Sequence, residues 1–480
     1  MTSEHFDLII VGTGSGNSIP GAELHDKKIA IVERGVFGGT CINVGCIPTK
    51  MFVHTADVAR EVADAQRLSL TGEITNVDWT DIQRRVFAER IDPISVGGEE
   101  YRRGPKTPNI TLYSGTASFS GPRELTVSFS DANSDADPVT ITADNIVLAT
   151  GTRPFIPDAI KNSGVNFRTN EDIMRLEKLP NSLTILGGGI IAVEFAHVFS
   201  ALGTEVTVIN RSPHLLKKLD STVVERFNEK AEQQWTNILG KSFQDFRTND
   251  DGSIAVVLDD GTEVVSDELL VALGRIPNSD LLNLSAGGVE VDSHDRISVD
   301  EYGRTSAKGV WALGDASNKY ELKHVANAEA RVVQHNLLHP EDLKKLNHTN
   351  VPSGIFTHPQ IATVGLTEDQ ARVYEKETGR AITVKVQEYS DVAYGWAMEE
   401  GGTFCKIIAD AETGKILGSH IMGPQATTLI QQLITVMVFD LDARLVAKNQ
   451  YWPHPSLSEV VENALLGLEF TGPDPAGIQP

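Results

Sequence analysis

The first feature of the chain is an alternation of apolar runs with a glycine-rich turn near its beginning. Apolar residues over 6–11 predict a strand, and a second apolar run over 28–32 predicts another. The turn after the first run contains three glycines, Gly12, Gly14 and Gly16. In a unit of strand, glycine-rich turn, helix and strand, backbone N–H groups bind the pyrophosphate of a dinucleotide. Glu33, at the end of the second run, is placed to accept hydrogen bonds from ribose hydroxyls.

One position of this turn departs from the usual pattern. A third glycine is expected at position 17, where the chain has Asn17, and Pro20 follows inside the predicted helix. A proline inside a helix removes a backbone hydrogen bond and clashes with the preceding turn. We therefore expect the first helix to be short or irregular. On this motif alone, a turn at a sheet edge without any ligand is an alternative.

The same succession of elements returns in the middle of the chain. An apolar run over 183–186 is followed by a glycine turn, a predicted helix over 190–202 and a predicted strand over 205–209. The turn and the start of the helix contain Gly187, Gly189 and Ile191. Two such units in one chain indicate two domains and two nucleotides.

The residues after the second unit bear on which nucleotide binds there. The strand over 205–209 is followed by Asn210 and Arg211 rather than by an acidic residue, and Lys217 and Lys218 come soon after. An acidic residue at this place favours a free 2′-hydroxyl, whereas an arginine favours a 2′-phosphate. The sequence therefore favours NADPH over NADH. The alternative is that Arg211 and Lys217 are solvated surface charges.

The other patterns predict elements that connect and follow these two units. Helices are predicted over 49–65 and 79–102, and strands that return to the first sheet over 140–151 and 310–315. The polar stretch 130–138 predicts the tip of a hairpin. From about residue 351 the pattern is that of an α+β domain. Its predicted strands are 383–389, 403–409 and 415–422, and its predicted helices are 427–439 and 457–466.

Composition and charge narrow the classes of function. Of the 480 residues, 40% are hydrophobic and 22% are charged, which is typical of a globular protein. The formal net charge of −23 disfavours nucleic acid and anionic lipid as partners. No run reaches the roughly 20 apolar residues that a membrane span requires. Because no basic segment precedes the first apolar run, we expect no secretory signal and a cytoplasmic protein.

The chain has three cysteines, Cys41, Cys46 and Cys405. Three cannot form a disulfide framework, and in a reducing compartment a close pair is usually metal-binding or catalytic. Further cysteine and histidine ligands at suitable spacing are missing around Cys41 and Cys46, so we expect no metal site. Cys405 lies in a predicted strand, where a packed core thiol is the expectation.

The stretch 38–50, which contains the cysteine pair, is the most specific motif of the sequence. Residues five apart in a regular α-helix are about 7.5 Å apart along the axis, whereas a disulfide requires Cα atoms within roughly 7 Å. A bond between Cys41 and Cys46 therefore requires an irregular helix start, which Gly45 and Pro48 permit. A thiol at a helix N-terminus is also a better thiolate. Two ordinary buried cysteines are the alternative.

A histidine near the end of the chain is a candidate acid/base. His454 lies between Pro453 and Pro455, which stiffen the backbone, and Glu459 follows near the start of a predicted helix. A carboxylate that orients an imidazole makes it a positioned acid/base. Alone this pattern says little, because the chain has 13 histidines. The cysteine pair gives it weight, since thiol exchange requires a proton donor for the leaving thiolate.

Taken together, several of these stretches resemble the flavoprotein disulfide reductases. They are 39–50, 149–151, 187–194, Gly314–Asp315, and His454–Pro455 with Glu459. Their order and spacing extend over nearly the whole chain. A narrower likeness, to the subgroup of reductases that act on mycothione, is carried by 12–19, 322–336 and 391–399. Asn17 is shared with that subgroup.

The resemblance implies an α/β fold with two Rossmann-like dinucleotide-binding domains, for FAD and NADPH, and a C-terminal α+β dimerisation domain. It places the FAD-binding domain at 1–153 and 275–348, the NADPH-binding domain at 154–274 and the dimerisation domain at 349–480. It also implies a homodimer whose active site is shared across the interface. The implied substrate is a small-molecule disulfide, with mycothione reduced to mycothiol; neither nucleic acid nor a membrane is expected as a partner.

The resemblance also implies roles for the catalytic residues. NADPH passes hydride to the flavin, and the reduced flavin opens a Cys41–Cys46 disulfide. Cys41 attacks the substrate disulfide, while Cys46 stays near the flavin as the charge-transfer thiolate and resolves the mixed disulfide. His454, reaching from the partner subunit, protonates the leaving thiol, and Glu459 holds its ring.

Further residues are implied beside the two cofactors. Lys50 and Glu194 form an ion pair next to the isoalloxazine and tune it. The residues implied for FAD are Gly12, Gly14, Gly16, Glu33, Gly39, Thr40, Lys50, Thr150, Gly151 and Asp315. Those implied for NADPH are Gly187, Gly189, Ile191, Arg211, Lys217 and Gly274. From its neighbours in the sequence alone, Asp315 is either a carboxylate that binds a polyol chain or simply a turn residue.

Two other functions are open at this point. The first is dihydrolipoamide dehydrogenase, an NAD-dependent subunit of multienzyme complexes, which would use Cys41, Cys46 and His454 in the same way. Arg211 counts against it, because that enzyme would favour an acidic residue at this position. A flavin-bearing redox sensor without turnover is the second. The cysteine pair together with His454 and Glu459 counts against it, because a non-catalytic protein has no use for both.

We predict that Arg211→Glu raises the KM for NADPH far more than the KM for NADH. The acidic side chain repels the 2′-phosphate, which NADH lacks, so NADH is the internal control. Steady-state kinetics with each nucleotide measures both constants. Equal effects on the two would contradict the assignment of Arg211 to the 2′-phosphate.

Overall fold

The computed structural model describes residues 4–129, 137–473 and 475, and its first sheet gathers strands from separate parts of the chain. The six strands are Glu4–Val11, Ile29–Glu33, Ile110–Gly121, Glu124–Phe129, Val139–Leu148 and Val310–Ala312. Glu4–Val11 lies between Ile29–Glu33 and Val139–Leu148, and both pairings are parallel. Of the six, Glu124–Phe129 runs antiparallel to its neighbours. Parallel strands buried on both faces consist of unbroken apolar runs, which is why the sequence pattern located Glu4–Val11 and Ile29–Glu33. Ile110–Gly121 and Glu124–Phe129 were not predicted as separate strands.

The second sheet repeats this arrangement in the middle of the chain. In spatial order its four parallel strands are Glu268–Val271, Ser182–Leu186, Glu205–Asn210 and Thr236–Leu239. A three-stranded antiparallel sheet consists of Phe243–Thr248, Ile254–Leu258 and Glu263–Ser266. A two-stranded ribbon pairs Thr152–Pro154 with Arg275–Pro277. It lies where the chain passes from the first sheet to the second and returns.

The third sheet is antiparallel and belongs to the C-terminal part. In spatial order its strands are Ser353–Ile355, Ile361–Gly365, Ile416–Met422, Phe404–Asp410 and Ile382–Glu388. Helices Ala426–Val438 and Ser458–Leu466 bury their apolar residues in the core of this part. The predicted strands and helices of the α+β part are present with ends shifted by about one residue. The strands Ser353–Ile355 and Ile361–Gly365 and three helices of this part were not predicted; the helices are Glu368–Thr378, Ala393–Ala397 and Ala443–Asn449.

The predicted helices are present, and the chain has others that were not predicted, among them Ser221–Ala231 and Lys323–Leu338. The α-helices are Gly39–Asn43, Cys46–Ala63, Trp79–Gln83, Asp92–Arg103, Asp158–Lys161, Ile190–Ala201, Ser221–Ala231, Lys323–Leu338, Glu368–Thr378, Ala393–Ala397, Ala426–Val438, Ala443–Asn449 and Ser458–Leu466. The helix predicted over 79–102 is broken into segments by a π-helical stretch, Arg84–Ile91. The helix predicted over 49–65 begins earlier, at Cys46.

The first glycine turn does not lead into an α-helix. It continues as a short 3₁₀ segment, Ser15–Ser18. The buried guanidinium of Arg102 donates to Asn17 Oδ1 at 2.8 Å, to Asn17 O at 2.7 Å and to Pro20 O at 3.3 Å. These bonds satisfy carbonyls that a regular helix would have paired. The expectation of a short or irregular element is confirmed, and the helix whose N-terminus was to face the pyrophosphate is absent here.

Buried charged side chains link the third sheet to the start of the helix Ser221–Ala231. Lys406 Nζ lies 2.8 Å from Asp220 Oδ1 and 2.8 Å from Glu368 Oε2. The side chains of Lys406 and Asp220 are 1% and 0% exposed. Asp220 also caps the helix Ser221–Ala231 by accepting from Thr222 N. Burial, the largest single effect, would raise the pKa of Asp220. The hydrogen bonds from Lys406 and from Glu368 N, together with the charges of His420 and Lys406, outweigh it, so the net shift is downward.

The predicted hairpin tip over 130–138 falls mostly on residues 130–136, which lie outside the described residues. The strands on either side of it, Glu124–Phe129 and Val139–Leu148, pair antiparallel. A search of the described residues finds no helix with the length and apolar content needed to cross a membrane.

We predict that Lys406→Ala destabilises the fold by about 3–5 kcal/mol, because it leaves the carboxylate of Asp220 buried without its counter-ion. The thermal midpoint of unfolding should fall markedly. Lys415→Ala is the matched control, since it removes an ion pair of 2.6 Å with Asp440 that is exposed at both ends. Exposed pairs contribute only about 0–1 kcal/mol. Similar thermal midpoints for the two variants would contradict a stabilising role of the buried Lys406–Asp220 contact.

Candidate functional site

The two cysteines lie on either side of a break between helices. Cys41 is in Gly39–Asn43, and Cys46 is the first residue of the helix Cys46–Ala63. A Cβ on Gly45 would lie 2.9 Å from Thr40 O, so a side chain there would push the two helices apart. Pro48 is tolerated because it stands in the first turn, where a missing N–H costs no intrahelical bond. The irregular helix start that a close cysteine pair requires is present.

The structure has Cys41 and Cys46 as free thiols rather than as the expected disulfide. The two are hydrogen-bond partners. The bond from Cys41 lowers the pKa of Cys46 to about 7 against the effect of burial, and Lys50, the Cys46 backbone N–H and Lys323 act in the same direction. Donation to Cys46, together with burial, raises the pKa of Cys41 far above its ordinary value. Of the two thiols, Cys46 is therefore the one that ionises more easily.

Lys50 forms the ion pair expected from the sequence. Its Nζ lies 2.5 Å from Glu194 Oε2, and the side chain of Glu194 is 5% exposed. The other oxygen of Glu194 accepts from the N–H of Phe356 at 3.0 Å, and Lys50 Nζ lies 4.6 Å from the centre of the Phe356 ring. The pair links the helix of the cysteines to the helix that follows the second glycine turn.

The first glycine turn is closed on its protein side by backbone contacts. Gly12 has a φ of +104°, and a Cβ there would lie 2.4 Å from Ala149 O. A Cβ on Gly16 would lie 2.8 Å from Ala149 Cβ, and one on Gly39 would lie 2.7 Å from Gly14 Cα. A Cβ on Gly14, by contrast, meets no described atom within 4 Å. The open side of Gly14 is where a pyrophosphate fits.

Polar groups around this turn fit the remainder of a dinucleotide. Glu33 Oε2 accepts from Thr13 N at 2.9 Å and from Thr13 Oγ1 at 2.6 Å, which fixes the carboxylate at the end of its strand. Thr150 Oγ1 is buried and has no partner among the described residues. Gly151, with a φ of +62°, has open space next to it, and Thr40 is exposed. A buried hydroxyl without a partner suits a site completed by a ligand.

Asp315 has the environment of a ligand-binding carboxylate. It lies in the turn Gly314–Ala316, which is held by a bond of 2.7 Å from Gly314 N to buried Glu329. Burial raises the pKa of Asp315, and the positive charges of Arg275 and Lys323 oppose this shift without cancelling it. A buried carboxylate is costly unless polar groups satisfy it. Together with the glycine turn, Glu33 and Thr150, it fits the polyol and phosphates of FAD.

The second glycine turn is built in the same way. Gly187 has a φ of +123°, and a Cβ there would lie 2.3 Å from Ala272 O. Gly189, which precedes the helix Ile190–Ala201, has no described atom within 4 Å of an added Cβ. This turn, unlike the first, opens a regular helix of 12 residues, whose N-terminus favours an anion.

The residues expected to choose the nucleotide surround this turn. Asn210 Nδ2 donates to the carbonyls of Ser212 and His214, both at 3.1 Å, and so shapes the loop that carries the cations. Arg211 and Lys217 are exposed on that loop. Of the other expected residues, Ile191 is half-buried, and Gly274 has a φ of +124° with open space beside it.

His454 and Glu459 form the expected pair. His454 Nδ1 lies 2.7 Å from Glu459 Oε1, and the histidine side chain is 70% exposed. The second oxygen of Glu459 accepts from Ser456 N at 3.0 Å. Burial would raise the pKa of Glu459, but the bonds from His454 and Ser456 bring it below its ordinary value. No hydrogen bond or ion pair within the described part of one chain links this pair to the cysteines, so the ring is free to face a group of another molecule.

Two cations of the site were not predicted from the sequence. Arg275 donates to Thr152 O at 2.8 Å and to Asn170 Oδ1 at 3.1 Å, and Lys323 donates to Ser15 Oγ at 3.0 Å. Arg275 follows a glycine, and Lys323 lies at the start of a stretch already noted for its likeness. Neither of these sequence features indicates that Arg275 and Lys323 contact segments more than 100 positions away in the chain.

Known proteins are similar to this chain over almost its full length. Residues 6–330 match the pyridine nucleotide-disulphide oxidoreductase family, and residues 351–465 match its dimerisation domain. Mycothione reductase of Mycobacterium tuberculosis is 49% identical over 97% of this chain and 100% of its own length. Dihydrolipoyl dehydrogenase of Corynebacterium glutamicum is 31% identical over 97% of this chain and 98% of its own. The HOCl-induced flavoprotein disulfide reductase RclA of Escherichia coli superposes with a TM-score of 0.84 at 25% identity, covering 97% of this chain and 99% of that one.

These similarities confirm the resemblance and the fold class that the sequence predicted, including the C-terminal dimerisation domain. They also support FAD and a nicotinamide nucleotide as cofactors.

We predict that Gly14→Ala weakens FAD binding by about tenfold or more, equal to about 1.4 kcal/mol, and leaves the thermal midpoint of the apoprotein unchanged. The added methyl group meets no described protein atom, so a loss can come only from the ligand that approaches the backbone there. Fluorescence titration of the apoprotein with FAD measures the affinity. Gly401→Ala, also free of neighbours, is the control. Unchanged FAD affinity in Gly14→Ala would contradict this placement.

Proposed function

Because the chain belongs to the pyridine nucleotide-disulphide oxidoreductases and is an FAD-dependent disulfide oxidoreductase that uses a nicotinamide nucleotide, we propose that it reduces mycothione to mycothiol with NADPH. The observation that carries the proposal is the Cys41–Cys46 pair, whose free thiols lie on either side of a helix break, with Cys46 at a helix start that favours its thiolate. The choice of substrate is supported by the similarity to mycothione reductase over nearly the full length of both chains.

The two cysteines take different parts in this proposal. Cys46 Sγ, at the first position of its helix and with a pKa of about 7, carries the negative charge of the reduced pair. Cys41, whose pKa is raised, must give up its proton as it attacks one sulfur of the substrate disulfide. Its Sγ forms a mixed disulfide with one half of the substrate, and the other half leaves. Cys46 then attacks Cys41 Sγ, which restores the protein disulfide and releases the second half.

His454 and Glu459 move the protons in this scheme. The imidazole accepts the proton of Cys41 and donates it to the departing thiolate, and Glu459, 2.7 Å from Nδ1, orients the ring. A second proton, taken up from solvent, completes the second thiol. Because the His454 side chain is 70% exposed in one chain, we propose that it serves the cysteines of a partner subunit.

A homodimer is supported by the C-terminal surface. Residues 351–465 match a dimerisation domain. Large apolar side chains are exposed around the His454 segment, and those with more than half of their area exposed are Val438, Phe439 and Tyr451. A face of this kind is costly in water and is typical of a surface that another chain covers. We propose that the dimer interface covers it.

The cofactor sites complete the proposal. When bound, FAD relays two electrons from the nicotinamide to the Cys41–Cys46 disulfide. The chain's own residues hold it: the glycine turn binds phosphates, Glu33 and Asp315 accept from hydroxyls, and the Lys50–Glu194 pair fixes a charge beside the ring. Arg211 and Lys217 bind the 2′-phosphate of NADPH at the second turn, where Gly189 and Gly274 have open space beside them. Gly187 lets the turn pack on Ala272 O, and Ile191 lies in the first turn of the helix that follows.

The proposed domain limits follow the ribbon between the two sheets. We assign 1–153 and 275–348 to FAD binding, 154–274 to NADPH binding and 349–480 to the interface. The ribbon pairs Thr152–Pro154 with Arg275–Pro277. Its first strand lies where the chain leaves the first sheet, and its second strand lies where the chain returns to it.

We predict that Cys41→Ser lowers turnover of the substrate disulfide by about 10³-fold or more, while NADPH still reduces the flavin. The variant lacks the sulfur that attacks the substrate, but it keeps both nucleotide sites. Stopped-flow absorbance measures flavin reduction, and steady-state NADPH oxidation measures turnover. Cys405→Ala is the control, because Cys405 is buried in the third sheet. Turnover that survives in Cys41→Ser would refute the assignment.

The substrate is tested with mycothione, glutathione disulfide and lipoamide, each with NADPH and NADH. The proposal expects the highest kcat/KM for mycothione with NADPH. A preference for lipoamide with NADH would identify a dihydrolipoamide dehydrogenase instead, and NADPH oxidation with none of the three would indicate a redox sensor.

A further inference from the structure

Asn170 is a buried residue that contacts the break between the two cysteines. Its side chain is 6% exposed, and its Nδ2 donates to the carbonyl of Val44 at 3.0 Å. Val44 lies between Cys41 and Cys46, directly after the helix Gly39–Asn43. The backbone of the break is therefore bonded to a side chain from the segment that leads from the first sheet to the second.

The carbonyl of Val44 requires a donor from outside its own segment. In a continuous helix it would accept from the N–H four residues later, but that residue is Pro48, which has no N–H. The chain also leaves helical geometry at this point, since Val44 has φ −143° and ψ 15° and Gly45 has φ −133° and ψ −121°. Asn170 supplies the donor that Pro48 lacks.

The other end of the Asn170 amide is fixed by Arg275. Arg275 donates to Asn170 Oδ1 at 3.1 Å, and it also donates to Thr152 Oγ1 at 2.7 Å and to Thr152 O at 2.8 Å. Because a guanidinium can only donate hydrogen bonds, the amide oxygen must face Arg275 and the amide NH2 must face Val44. One side chain thus links the break to the ribbon between the first two sheets.

The segment 168–174, which carries Asn170, is held on both sides of this contact. Met174 Sδ lies 3.8 Å from Thr49 Oγ1, in the helix that follows the break, and both side chains are buried. At the other end, the backbone of Arg168 makes two hydrogen bonds, of 2.7 and 2.8 Å, with the edge strand of the second sheet. The amide of Asn170 is therefore presented to the break from a fixed backbone.

We propose that Asn170 is a positioning residue for the pair of Cys41 and Cys46, because its bond to Val44 O holds the break in a shape that keeps the two sulfurs within reach. The inference rests on the proposed function, in which Cys46 Sγ attacks the mixed disulfide on Cys41. That step forms the bond between the two cysteines, breaks the bond between Cys41 Sγ and the substrate sulfur, and releases a substrate thiolate that takes up a proton.

A break that is already fixed favours this closure. Less chain freedom is lost when the two sulfurs bond, so the effective concentration of one sulfur at the other is higher. Without the bond from Asn170, the dithiol form gains freedom and the disulfide form becomes less favoured relative to it. The equilibrium between the two forms therefore reports the positioning role, whereas a purely structural role would change only the stability of the fold.

The experiment equilibrates the FAD-loaded protein with mixtures of reduced and oxidised dithiothreitol in the absence of oxygen. Acid quenching, unfolding and alkylation then show by mass how much protein has Cys41 and Cys46 as free thiols, while Cys405 adds a constant third thiol. In Asn170→Ala, the equilibrium constant for closing the disulfide should fall by about fivefold to tenfold, the effect of one lost hydrogen bond.

Asn336→Ala is the matched control, because Asn336 is also a buried asparagine that binds distant backbone. It is 1% exposed and donates to Tyr302 O at 3.0 Å and to Lys344 O at 2.9 Å. This variant should lower the thermal midpoint of unfolding but leave the closing constant at the value of the unchanged protein.

Should Asn170→Ala lose FAD, Asn170→Ser provides the second test. A single hydroxyl is too short to reach Val44 O and Arg275 together, so the closing constant should fall by a smaller amount. An unchanged constant in the variant that retains FAD, or an equal fall in Asn336→Ala, would overturn the inference. Either result leaves the proposed function standing if the unchanged protein forms the disulfide and turns over its substrate.

Discussion

Cys41 and Cys46 can meet only because the chain stops being helical between them. A continuous helix would separate their positions by about 7.5 Å along its axis. The break depends on Gly45, whose missing side chain allows the backbone to approach Thr40 O. The same break makes Cys46 the first residue of a new helix, where unpaired N–H groups favour a thiolate. One local backbone constraint therefore brings the sulfurs together and places Cys46 where its thiolate is favoured.

The charges around this pair come from distant parts of the chain. Glu194 reaches Lys50 from the helix after the second glycine turn, and Lys323 reaches Ser15 from a helix that begins more than 300 positions later. In a protein with a formal net charge of −23, Lys50, Lys323 and Arg275 bring positive charge to this part of the fold. In the proposed function, such side chains favour a thiolate and nucleotide phosphates.

The C-terminal part contributes both stability and, in the proposed dimer, chemistry. The buried contacts of Lys406 with Asp220 and Glu368 attach the third sheet to the helix that follows the nucleotide loop. The bidentate pair of Arg226 and Glu388, at 2.7 and 2.8 Å, adds to the same attachment. Because the sheet is held in this way, the helix Ser458–Leu466, which packs in the same core and carries Glu459, has a defined position relative to the rest of the chain.

The sequence by itself determined the elements whose signals are local. Apolar runs marked the buried parallel strands, glycines marked both turns, and the spacing of Cys41 and Cys46 with Gly45 between them indicated an interrupted helix. Asn17 and Pro20 indicated that the first helix would fail, but not that Arg102 would bind their carbonyls. Only the tertiary structure decided which charges meet, because the contacts of Arg275, Lys323 and Lys406 join segments that no local pattern relates. Whether the two neighbouring sulfurs are bonded depends on redox state and not on the order of the residues.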